Sequence, residues 1–176
     1  MTQRARAATT ADVVLRHWRE AVPDDRLAHL VKDATRGLSR ALQLRLSRYG
    51  VSYGHWVFLR ILWVRDGVTQ RELAHEAGMS EPTTWSALNA MEDNGYIEKR
   101  KLPHNAKNVY IFLTKAGRAL EHTLVPLAED VNRVAVEGLS LEEVSRTRKF
   151  LFAMIENLAR DEAAEEDARD EKARNG

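Results

Sequence analysis

Residues 69–95 read TQRELAHEAGMSEPTTWSALNAMEDNG, and this stretch decides the fold. Thr69 followed three residues later by Glu72 is a capping-box pattern that opens a short helix. Gly78 breaks that helix, and Ser80 caps a second one. Pro82 sits in the first turn of the second helix, where a missing N–H costs nothing. Two short helices joined by Ala77-Gly78-Met79-Ser80 form a helix–turn–helix unit. In the second helix Thr84, Ala87, Leu88 and Met91 recur at i, i+3, i+4 and i+7, so they face a core. The opposite face presents Thr83, Trp85, Ser86, Asn89 and Ala90, with no Lys or Arg. A helix that enters a major groove must be slim and must carry groups that match base edges. Asn can bond adenine bidentately, Ser and Thr can bond several edges, and an apolar surface can meet a thymine methyl.

Charge is not needed on that helix if phosphates are held elsewhere. After Gly95 the hydrophobic period changes from helical to alternating. YIEKRKL (96–102) and NVYIFL (108–113) read as two strands joined by PHNAK, a β-hairpin with a loop of about five residues. Lys99, Arg100 and Lys101 lie on one strand, with His104 and Lys107 near the tip. These are the candidate phosphate contacts. The basic stretch 96–118 holds Lys99, Arg100, Lys101, Lys107, Lys115 and Arg118 against Glu98 alone. A basic patch beside such a helix points to a polyanion.

Further out the chain is helical. ADVVLRHWREA (11–21) forms a short helix that Pro23 ends. Asp24 and Asp25 suit the start of a second helix, whose apolar positions Leu27, Leu30, Val31, Ala34, Leu38, Ala41 and Leu42 share one face up to Gly50. A third helix runs through Tyr53–Arg65, and Asp66-Gly67 makes the turn after it. Thr114 caps a helix whose Leu120, Leu124, Leu127, Val131 and Val134 form a short heptad seam. Ser140 and Glu143 form another capping box, and Val144, Thr147, Leu151, Ile155 and Leu158 carry an apolar stripe onward. The last sixteen residues are charged and rich in alanine, a frayed helix extension or disordered chain. Long helices at both ends, with a compact unit between them, require a partner subunit to cover the leftover stripes.

The 176 residues carry a net charge of +1, but 161–176 hold seven acids against three bases, which leaves the body distinctly basic. There is no cysteine, so disulfides and thiolate metal sites are excluded. No apolar run approaches the ~20 residues needed to cross a bilayer, and no h-region follows the N-terminal arginines. The expected setting is the cytoplasm, with no membrane partner.

Stretch 69–120 resembles the winged helix–turn–helix core of the MarR-type transcriptional regulators. The matching features are Gln70, Leu73-Ala74, Gly78, Ser80, Thr83, the helix end Glu92-x-x-Gly95, Ile97-Glu98-Lys99-Arg100 and Leu113-Thr114-x-x-Gly117. The resemblance implies a mainly α fold with a small β-hairpin wing, and a homodimer built by the long terminal helices. It implies a pseudo-palindromic operator in double-stranded DNA and repression relieved by a small phenolic or aromatic-acid effector. The domains are then 1–24, an N-terminal extension with a short helix; 25–50 and 114–160, a helical dimerisation region; 51–113, the DNA-binding winged helix–turn–helix; and 161–176, a charged C-terminal tail. Where the family's wing usually carries Asp-x-Arg, this chain reads Asn105, Ala106 and Lys107. That keeps a charge without the planar fork of arginine. The alternative is a winged helix that has lost specific DNA binding and serves as a protein-interaction module.

An aromatic carboxylate needs a cation, a hydrogen-bond donor and apolar walls. Candidates near the first long helix and the third helix are His55, Trp56, Arg60, Arg36 and Arg40. No cofactor or metal site is expected. Glu72-x-x-His75 has the spacing used in di-iron bundles, but that chemistry needs two such motifs. No HExxH, G-x-S-x-G or P-loop occurs, so an enzyme is not expected.

Overall fold

The computed structural model describes residues 9–20, 27–103 and 105–175. Pro23, Asp24, Asp25 and His104 lie outside the described residues. The elements run α1 (Thr10–Glu20), α2 (Leu27–Leu46), a 3-10 turn (Ser47–Tyr49), α3 (Tyr53–Val64), β1 (Val68–Thr69), α4 (Gln70–Ala77), α5 (Glu81–Asp93), β2 (Ile97–Leu102), β3 (Asn105–Leu113), α6 (Lys115–Ala135) and α7 (Leu141–Asn175). The chain divides into two compact units, Met1–Asn132 and Arg133–Gly176. The fold is mainly helical with a small antiparallel wing sheet, as the sequence leads one to expect.

In the first unit the core gathers around α3. Phe58, Leu59 and Leu62 of α3 are buried with Leu46, Leu73, Leu88, Met91, Ile97, Ile111, Leu113 and Leu124. Because α2, α4, α5 and β3 all pack on α3, its apolar residues are not confined to one stripe. Gly117 lies in the first turn of α6, where a Cβ would come 2.0 Å from the carbonyl oxygen of Tyr96. Only glycine lets α6 start against the β2 end of the wing. The Trp63 indole N–H donates to the Gly117 carbonyl at 3.0 Å and fixes the same junction from the α3 side.

Two local expectations are corrected. The ribbon is three-stranded, in the order β1-β3-β2, because Val68 and Thr69 pair with Ile111 and Tyr110. A two-residue strand is too short to show alternation, and Thr69 reads equally well as the cap of α4. The hairpin loop is also shorter than the expected 103–107. Leu102 pairs with Asn105, so only positions 103 and 104 lie between the paired residues. An irregularity between Arg100 and Leu102 shifts the register, and the backbone pairing continues past the point where apolar alternation stops.

The second unit holds the last turn of α6 and all of α7. Gly138 adopts φ 85° between them. The Ser140–Glu143 capping box forms: Ser140 N–H donates to Glu143 Oε2 at 2.8 Å, and Glu143 N–H donates to Ser140 Oγ at 3.3 Å. The charged tail is helical as far as Asn175, as its alanines and salt-forming residues favour. Phe150, Phe152, Ile155 and Leu158 on α7 are exposed.

Candidate nucleic-acid interface

Helices α4 and α5 are each opened by a side-chain cap. Thr69 Oγ1 accepts the Glu72 N–H at 3.2 Å, and Glu72 Oε2 accepts the Thr69 N–H at 2.8 Å. The Thr69 hydroxyl also donates to Glu72 Oε2 at 2.6 Å, and this bond first, then the one from the Thr69 backbone N–H, keeps the Glu72 carboxyl below the usual range of a glutamate. Gly78 ends α4 in the left-handed region at φ 63°. Ser80 then opens α5, its Oγ accepting the Thr83 N–H at 3.3 Å. Thr84, Leu88 and Met91 are buried, which turns Thr83, Trp85 and Ser86 outward as the helical period requires. The Thr83 hydroxyl is paired with Ser80 Oγ at 2.8 Å, while Ser86 is exposed.

Lys99 departs from its expected role. It sits on β2 with a side chain only 12% exposed, and its ammonium turns toward α5 rather than toward solvent. It donates to Asn89 Oδ1, pairs with Glu92 Oε2 at 2.9 Å, and lies 4.6 Å from the centre of the Trp85 ring. The Lys99 backbone N–H also donates to Glu92 Oε1 at 3.2 Å. The bond from the Lys99 side chain is the main reason that the Glu92 carboxyl titrates below its ordinary range. An ammonium has three donors and no acceptor, so these partners leave little for a phosphate. The sequence held a signal for this. Strand alternation from buried Ile97 places Lys99 on the inward side.

The remaining wing cations differ among themselves. Arg100 pairs with Glu98 and lies 4.9 Å over the Phe112 ring, yet about half of its side chain is exposed. Lys101 and Lys107 are exposed, and among the described residues neither has a partner. Asn105 Nδ2 donates to the Tyr110 hydroxyl at 3.2 Å, a brace within the hairpin.

One anchoring residue escaped the sequence reading. Asp66 was legible only as part of a turn. Its Oδ1 accepts the Gly67 N–H at 3.1 Å and the Leu113 N–H at 2.8 Å, and its Oδ2 accepts from Arg118. One carboxylate thus joins the end of α3, the end of the wing and the start of α6.

The five candidate effector residues separate into groups. Arg36 and Arg40 line a cavity of about 460 Å³ between α1 and α2, whose walls include Val14, Leu15, Ala41 and Leu44. His55, Trp56 and Arg60 do not line it. Trp56 is buried in the core, edge-on to Trp63 at 5.6 Å between centroids. Arg60 is exposed. His55 is half-buried and edge-on to Tyr96, and burial holds its imidazole pKa below the ordinary histidine value.

Residues 51–109 match the family model described as MarR family. The HTH-type transcriptional regulator TtmR of Methylorubrum extorquens is 27% identical over 136 residues, covering 77% of this chain and 65% of that relative, so the chain spans just under two thirds of its length. The homoprotocatechuate degradative operon repressor of Escherichia coli is 24% identical over 110 residues, covering 62% of this chain and 74% of the relative. Among solved structures, a MarR-family regulator from Listeria monocytogenes complexed with 26mer DNA superposes with a TM-score of 0.70 at 23% identity, covering 78% of this chain and 91% of that one. At that identity the likeness is one of fold. The first relative is named as a transcriptional regulator and the second as an operon repressor.

Proposed function

We propose, from the premise that this chain is a MarR-family transcriptional regulator with the family's DNA-binding winged helix–turn–helix, that two copies form a repressor of a pseudo-palindromic operator. The observation that carries this reading is the outward face of α5, with Thr83, Trp85 and Ser86 exposed beside a ribbon that offers Lys101 and Lys107. The α5 face would enter the major groove, and the free lysines would hold phosphates. The exposed Leu151, Phe152, Ile155 and Leu158 share one side of α7 and support a homodimer, since an apolar stripe of that kind in water calls for a cover. Residues 25–50 and 114–160 would then be the dimerisation region, 51–113 the DNA-binding domain, and 1–24 and 161–176 the extensions. Among the described residues no helix is long and apolar enough to cross a membrane, and a regulator of DNA would work in the cytoplasm.

The effector would be a small aromatic acid. Arg40 beside the apolar walls of the α1–α2 cavity supports this, with Arg36 next to it paired to Asp33 of the same lining at 3.8 Å, as does the name of the homoprotocatechuate operon relative. His55, Trp56 and Arg60 stand apart from that cavity, on α3.

The test is retention on a mixed-sequence duplex at low salt, followed by footprinting on the DNA flanking the gene. The protein should bind with a salt slope of several charges and protect two half-sites about 10 base pairs apart. No retention would sink the DNA-binding reading, and a single unpaired footprint would sink the dimer. The engagement of Asn89 with Lys99 and of Thr83 with Ser80 favours the second reading, a protein-interaction winged helix, because it leaves fewer free base-reading groups. That reading wins if the duplex is not retained. A thermal-shift screen of aromatic acids tests the effector, since a ligand that binds only the native state raises Tm.

A further inference from the structure

The geometry points to Lys99 as a specificity-determining positioning residue that biases Asn89 away from reading adenine and toward donating to guanine. The inference rests on α5 being the groove helix. Its starting point is the chemistry of the two groups. An ammonium has only donors, so the Asn89 amide must turn its oxygen to Lys99, which fixes Nδ2 as the atom facing away. Bidentate recognition of adenine needs the amide oxygen to accept from N6 while the nitrogen donates to N7. With Lys99 on Oδ1, one of the two oxygen lone pairs is taken and the oxygen is turned toward β2, which weakens the acceptor half of that pair. The two N–H groups of Nδ2 remain, and they match the edge that offers two acceptors, guanine N7 and O6.

Lys99 is itself fixed. Glu92 Oε2 lies 2.9 Å from its ammonium, and the Trp85 ring lies beneath it at 4.6 Å. The ammonium therefore cannot swing away when DNA approaches without giving up both Glu92 Oε2 and the Trp85 face. Because Glu92 and Asn89 are on α5 while Lys99 is on β2, the wing strand sets the orientation of a side chain on the reading helix. Lys99 acts on the operator through Asn89, with no phosphate contact of its own.

The experiment is selection of bound duplexes from a randomised pool, run with wild type, Asn89→Ala and Lys99→Met, with salt slopes measured on one mixed-sequence duplex. Asn89→Ala identifies the base pair that Asn89 reads, as the position whose preference disappears. In wild type that position should be G·C. Lys99→Met should lower the preference for G·C over A·T there by about tenfold and leave the salt slope unchanged. An A·T pair at that position in wild type overturns the inference, and this needs no Lys99 variant to fold. So does a Lys99→Met variant that keeps its base preference but loses about one unit of salt slope, the signature of a phosphate contact. If Asn89→Ala erases no position, the inference fails while the regulator reading stands. If wild type enriches no sequence at all, the regulator reading fails and takes this inference with it.

Discussion

The Asp66 carboxylate accepts the backbone N–H of Leu113 at 2.8 Å, across 47 residues of chain. The same oxygen accepts the Gly67 N–H at 3.1 Å, so one side chain fixes the turn after α3 to the last residue of the wing. Hydrogen bonds from backbone N–H to a charged acceptor are worth about 1.5–3 kcal/mol each when sheltered, and the Asp66 side chain is 23% exposed. The added pair with Arg118 counts for less, because that guanidinium is more than half exposed. Asp66→Ala should cost about 2–4 kcal/mol in urea denaturation. Asp66→Asn, which keeps an acceptor oxygen, should cost clearly less. Equal losses in the two variants would assign the effect to something other than these bonds.

Why Asp66 was invisible in the sequence, while α5 was not, follows from the range of the interactions. Ser80, Pro82 and the Thr84-Ala87-Leu88-Met91 spacing all act within one helix, so caps, period and outward face could be read directly. The two-residue strand β1 has no period to detect, and its existence depends on Ile111 and Tyr110. The loop length at the wing tip was set by pairing of Leu102 with Asn105, which no local apolar pattern announces. Lys99 lay between these cases. Alternation placed it inward, but only the fold brings it over Trp85 and beside Asn89, on a neighbouring element. Chemical type alone groups the effector candidates across two helices, whereas packing distributes them: Trp56 to the core, Arg36 and Arg40 to the α1–α2 cavity.

Thr84 is fully buried on the inward face of α5, and its hydroxyl has no hydrogen-bond partner among the described residues. Burying an unpaired hydroxyl carries a desolvation cost of about 1–3 kcal/mol. Valine has nearly the same shape and no polar atom. Thr84→Val should therefore stabilise the protein by about 1 kcal/mol in chemical denaturation, with DNA affinity unchanged because the outward face is untouched. A loss of stability would mean that the hydroxyl is satisfied in solution, for instance by an ordered water.

His55 gives a pH dependence whose sign can be worked out. Burial beside Tyr96 disfavours the imidazolium, so the folded pKa lies below the ordinary 6.5. The unfolded chain then binds the proton more readily than the folded one. The stability that neutral His55 contributes is present above pH 6.5 and is lost as pH falls from there through the folded pKa. Glu72, Glu92 and Glu143 are held below the ordinary glutamate value of 4.5, so their own losses come at more acid pH and do not overlap the start of this window. His55→Leu should flatten the fall in Tm between pH 7 and 5.5 while leaving the acid limb in place. An unchanged Tm profile in the variant would remove His55 as its cause.

The wing lysines should separate by salt dependence. Each phosphate contact releases a condensed counterion, so loss of one lysine that touches DNA lowers the slope of log K against log salt by about 0.9. Lys101 and Lys107 are exposed and unpartnered among the described residues, so Lys101→Ala and Lys107→Ala should each lower the slope by roughly that amount. Their effect on binding should be nearly the same for every sequence, because a phosphate contact carries no base information. Arg100 should give a smaller change. Glu98 and the Phe112 face already hold its guanidinium, and release toward a phosphate would have to replace both. Fluorescence anisotropy of a labelled mixed-sequence duplex, titrated at several salt concentrations, measures all three slopes. If neither lysine variant moves the slope, the ribbon does not lie along the duplex, and the phosphates must be held by another part of the molecule.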